Sequence, residues 1–100
     1  MDHTTEFTVA VEASRVKISG ELDVLTSPAM IAAALKVPSA ELDLSEVTFM
    51  DARGVSALLW LRGARPGVRI VAVSVQVKRV LDMTNTATQL LADSQAFAAA

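Results

Sequence analysis

One hundred residues, 52% of them hydrophobic and 20% charged, are enough for one domain with one modest core, and they exclude a disordered chain. The absence of cysteine excludes a disulfide scaffold and any thiolate-held zinc or iron–sulfur centre. A formal net charge of -2, with Lys and Arg scattered rather than clustered, argues against nucleic acid as a partner.

From Phe7 to Val11 apolar residues alternate, with Phe7, Val9 and Val11 on one side, which predicts a strand. Ala13-Ser14 reads as a turn. Arg15 to Ser19 alternates again with Val16 and Ile18 inward, so the two segments form a hairpin. Gly20 then permits a bend or bulge. Ser27 is a suitable helix cap, and Pro28 suits the first helical position, where a missing N–H costs nothing. Met30, Ile31, Ala34 and Leu35 continue at helical spacing until Pro38, which predicts a helix over 28–36. A brief strand is expected over 41–44, interrupted at Ser45-Glu46, with Val47 and Phe49 resuming an apolar pattern. A second helix is expected over 52–63, closed near Gly63 or by Pro66-Gly67. The apolar run Ile70 to Val73 reads as an internal strand covered on both faces. A helix over 76–84 places Val77, Val80, Leu81 and Thr84 on one face, with Asn85 as its C-terminal cap. Ala87 to Ala92 is expected to add a last helix, and Ala98–Ala100 to fray. The resulting order, β-β-α-β-α-β-α-α, predicts an α/β fold. Four or five strands would form a mixed sheet packed with three or four helices.

Catalytic chemistry finds little support. His3 is the sole histidine and lies among the first residues, where an exposed, uncommitted side chain is expected. No metal-ligand spacing, phosphate-cradling glycine loop or nucleophile elbow is present, so no metal, no cofactor and no enzymatic activity are expected. Asp23, Asp43 and Asp51 could act as a catalytic pair only by facing one cleft. Their ordinary roles are an outward strand position for Asp43 and a helix N-terminal cap for Asp51. Met1-Asp2-His3-Thr4 opens no basic-then-apolar leader, and the nearly apolar stretch Val55–Leu61 is far too short to span a bilayer. A cytoplasmic protein that does not insert into membranes is therefore expected.

Six segments taken together follow one pattern: Gly20-Glu21-Leu22-Asp23, Thr26-Ser27-Pro28, Leu42-Asp43-Leu44-Ser45, Val47-Thr48-Phe49-Met50-Asp51, Gly54-Val55 and Val77 to Thr84. The chain resembles the STAS domain shared by bacterial anti-sigma factor antagonists and sulphate transporters. The likeness makes residues 1–100 a single STAS-like domain with its core at about 7–92. It implies partner switching: the antagonist binds an anti-sigma factor, often a histidine-kinase-like serine kinase, and so regulates sigma-dependent transcription. Another role implied for such domains is that of a non-catalytic subunit in a lipid-transport or stress-sensing complex. The family's switch is Asp-Ser-Ser-Gly at the start of the second helix, with phosphate on the second serine. Here the matching residues are Asp51-Ala52-Arg53-Gly54, so no phosphorylation is expected at Arg53. Where a phosphoserine would add about -1.5 to -2 charges, Arg53 sets a fixed cation against the helix dipole, at a cost of about 0.3–1 kcal/mol.

At about 100° per residue, Val55, Leu58, Leu59 and Arg62 fall on one side of this helix, and Arg53, Ser56, Ala57, Trp60 and Ala64 on the other. The bulky apolar side is expected to face the core. The opposite side carries the chain's only tryptophan in line with an arginine, and both residue types are enriched in interface hot spots. The protein-binding residues expected are thus Asp23, Asp51, Ala52, Arg53, Gly54, Ser56, Ala57 and Trp60.

Overall fold

The computed structural model describes residues 6–91; His3 and Ala98–Ala100 lie outside them. Its elements run β1 (Thr8–Glu12), β2 (Arg15–Leu22), α1 (Ser27–Leu35), β3 (Glu41–Met50), α2 (Ala52–Ala64), β4 (Arg69–Val73), α3 (Val75–Met83) and α4 (Ala87–Leu91). The four strands form one mixed sheet in the order β1-β2-β3-β4. β1 and β2 are the antiparallel hairpin, turned at Ala13 with a left-handed φ of 56°. The β2–β3 and β3–β4 pairs are parallel, with α1 and α2 as their crossovers.

β2 alternates as its sequence dictates: Val16, Ile18 and Leu22 are buried, while Arg15, Lys17, Ser19 and Glu21 are not. The neighbouring β3 is one continuous strand, not two pieces broken at Ser45-Glu46. Two register shifts absorb the mismatch. Lys17 pairs with Asp43 but Ser19 with Glu46, and Gly20 pairs with Val47 but Glu21 with Phe49. A bulge lets β3 carry extra residues while Leu44, Val47 and Met50 still reach the core.

β4 is an edge strand, not an internal one, and Val71, Ala72 and Val73 are only half-buried. Its apolar composition answers to α3 and α4, which pack against it, rather than to a further strand. Helix starts also differ from expectation. Ser27 lies inside α1, and Thr26 holds the cap position without capping through its side chain. At α3 the cap is Ser74, whose hydroxyl accepts from the Val77 amide at 3.1 Å and donates to the Val47 carbonyl at 2.7 Å. Asn85 does close α3, in a left-handed conformation that lets the Thr86 amide reach the Leu81 carbonyl at 2.9 Å.

The core is aliphatic, with Ile18, Leu22, Leu42, Leu44, Leu58, Leu61 and Leu81 fully enclosed. The other sheet face is polar. Arg15 faces Glu41 and Asp43, Lys17 faces Glu46, and Arg69 faces Glu41. Burial pushes the Asp43 carboxyl up, but hydrogen bonds from the Ser45 hydroxyl (2.6 Å) and amide (3.0 Å), with the Lys17 and Arg15 charges, outweigh it and hold it below its usual value. A lowered folded pKa contributes stability that is full above the unfolded value, about 3.9, and is lost as pH falls through the folded one. Wild-type stability, followed by circular dichroism, is therefore expected to fall more steeply than that of Asp43→Asn below about pH 4. Parallel curves would contradict it.

Candidate protein-binding site

The site begins where β3 ends. Asp51 leaves the strand in extended conformation, and its Oδ1 accepts from the amides of Arg53 (3.0 Å) and Gly54 (3.1 Å), starting α2 as a cap. Gly54 brings that first turn hard against the sheet. A Cβ placed there would lie 2.8 Å from the Leu22 carbonyl oxygen and 2.5 Å from Met50 Cγ. The start of α2 thus abuts the end of β2, and with it the loop leading to α1.

That loop is built on two side chains. Asp23 Oδ1 accepts from the amides of Leu25 (3.0 Å) and Thr26 (3.1 Å). Thr26 Oγ1 donates to the Glu21 carbonyl at 2.7 Å and accepts from the Asp23 amide at 2.9 Å. With its backbone donors satisfied inside the loop, the chain turns Val24 and Leu25 outward, and Leu25 is 84% exposed. Asp23 therefore organises the loop, and Asp51 organises the helix. Leu22 pairs with Met50, so Asp23 and Asp51 follow at the same end of the sheet, each with Oδ1 spent on backbone amides, whereas Asp43 lies near the start of β3 and away from both.

On α2, Ala52, Arg53, Ser56 and Trp60 are exposed, Trp60 at 53%. Gly54 and Ala57 are buried, and so is Leu61, whereas Leu59 is only half-buried. The buried arc is therefore rotated from the one its bulky residues suggest, and Ala57 belongs to the core side. At Gly54 the reason is proximity: the helix backbone lies so close to the end of β2 that no side chain fits, and α2 packs on α1 and α4 as well as on β3, which widens its buried arc. Val55 and Leu58 are buried as expected.

Sequence reasoning missed four exposed apolar residues at the ends of the parallel strands: Val24 and Leu25 after β2, Phe49 at the end of β3 (48% exposed) and Val75 after β4. The Asp23–Thr26 spacing, which allows an Asx-type turn, is the signal that could have located the first two. Arg53 has no ion pair and no side-chain hydrogen bond among the described residues. Among those residues, too, no group of three or more His, Cys, Asp or Glu could hold a metal ion, and no helix is long and apolar enough to cross a membrane.

A family model described as "Mlab, STAS domain" matches residues 6–92. The chain belongs to the STAS domain family. Its fold, a four-stranded mixed sheet with four helices, is the STAS fold. Among solved structures, it is similar to the crystal structure of an anti-sigma factor antagonist from Mycobacterium paratuberculosis, 25% identical over 87% of this chain and 83% of that one, with a TM-score of 0.67. The anti-sigma factor antagonist SpoIIAA in its unphosphorylated form shares the fold, at 23% identity over 80% of this chain and 81% of that one, with a TM-score of 0.55. No curated protein sequence matches. A STAS domain of this type is a non-catalytic regulatory module, and here the three aspartates stabilise a loop, a helix start and a sheet face.

Proposed function

We propose that this STAS domain is a cytoplasmic anti-sigma factor antagonist. It binds an anti-sigma factor of the histidine-kinase-like serine kinase type through the exposed side of α2 and the β2–α1 loop, and it does so without the family's phosphorylation switch. The observation that carries the reading is the exposed Arg53–Ser56–Trp60 ridge of α2, whose first turn meets the end of β2, the strand that leads into the loop exposing Leu25. The likeness to the mycobacterial antagonist supports the partner class.

Neither Ala52 nor Arg53 has a hydroxyl, so a serine kinase finds no acceptor at the position the STAS resemblance assigns to it. Ser56 is exposed but lies about 4.5 Å further along the helix axis, and the exposed Thr48 precedes the helix within β3. The anti-sigma factor is to be identified by co-purification. The domain is then incubated with it and ATP, and phosphate is mapped by mass spectrometry. No phosphate and undiminished binding are expected. Stoichiometric phosphate on Ser56 or Thr48 with loss of binding would defeat the constitutive reading. Co-purification with a permease and an ATPase instead would turn the assignment toward a lipid-transport subunit.

A further inference from the structure

Arg15, Lys17, Arg69 and Lys78 each face a carboxylate on the chain's own surface. Arg53, like Lys36, Arg65 and Arg79, has no ion pair among the described residues, but of these four it alone stands in the first turn of a helix, α2, where the unsatisfied amide ends disfavour a cation. Its nearest acid, Asp51, is aligned on the amides of Arg53 and Gly54. Arg53 thus contributes nothing visible to the fold and sits where a cation is mildly costly. Trp60 lies on the same exposed side, about 10.5 Å along the axis. Leu25 is exposed on the loop that follows Leu22, whose carbonyl oxygen lies 2.8 Å from a Cβ placed at Gly54.

We infer that the partner meets this face with a carboxylate, which Arg53 binds on the side of α2 that also exposes Trp60. The inference rests on the protein-binding reading above and specifies its chemistry. Closing a partner over the exposed side of α2 strips water from the guanidinium. An arginine so desolvated needs a hydrogen-bonding anion opposite, and a carboxylate matches its planar fork. The occupant is therefore a protein segment bearing Asp or Glu.

The test is calorimetric titration of the anti-sigma factor with wild type, Arg53→Gln and Arg53→Glu at low and high salt. Arg53→Gln is expected to weaken binding about tenfold or more and Arg53→Glu more severely. Salt should weaken the wild type more than Arg53→Gln. An Asp→Arg or Glu→Arg change on the partner should recover affinity for Arg53→Glu. Thermal melts separate binding from folding, because Arg53→Glu is expected to melt at or above the wild-type temperature. Wild-type affinity and salt dependence in both variants would overturn the carboxylate contact and leave the antagonist reading standing. No binding of an anti-sigma factor by the wild type would overturn both.

Discussion

Leu58→Ala is expected to destabilise the fold by about 2–5 kcal/mol. Leu58 is 1% exposed and lies on the inner side of α2 with Val55 and Leu61. The truncation removes apolar contact and leaves a cavity among closely packed aliphatic side chains. For a domain whose total stability is about 5–15 kcal/mol, such a loss is a large fraction of the whole. Denaturant melts monitored by circular dichroism measure it directly. A loss below about 0.5 kcal/mol would mean that α2 does not present this face to the core.

Gly54→Ala is the second large effect, and it joins the fold to the site. The added methyl would meet Met50 Cγ at 2.5 Å and the Leu22 carbonyl oxygen at 2.8 Å. The Met50 side chain can turn aside, but the carbonyl moves only with the end of β2 and the loop that carries Leu25. Better helix propensity returns up to about 1 kcal/mol, whereas overpacking costs about 1–3 kcal/mol. A net loss of stability is expected, accompanied by weaker partner binding as α2 and the loop separate. Gly63→Ala on the same helix is the control, because nothing lies within 4 Å of a Cβ placed there. It should be neutral or stabilising by up to about 1 kcal/mol. Equal effects at the two glycines would contradict the close approach at Gly54.

Most elements were legible because their signals are local. Alternation at Val9–Val11 and Val16–Ile18 marks the hairpin, and Asp51 before Ala52 marks the start of α2. What escaped depends on contacts distant in sequence. The continuity of β3 rests on its register against β2, which Ser45-Glu46 alone does not reveal. The edge position of β4 escaped because an apolar run reads alike beneath helices, as here under α3 and α4, or between strands. In the candidate site, Arg53, Ser56 and Trp60 were placed outward correctly by angular position. Ala57 was not, because α2 packs on α1 and α4 as well as on β3, neighbours distant in sequence. Leu25 was missed because its exposure is set by the hydrogen bonds of Asp23 and Thr26.

The central claim is that the exposed side of α2 binds the anti-sigma factor, and Trp60→Ala tests it most directly. Half its surface is open to solvent, so truncation should leave the circular dichroism spectrum and the melt nearly unchanged. Titration calorimetry against the anti-sigma factor is expected to show binding weaker by at least about 1 kcal/mol, roughly fivefold. Wild-type affinity in a folded Trp60→Ala protein would contradict the claim.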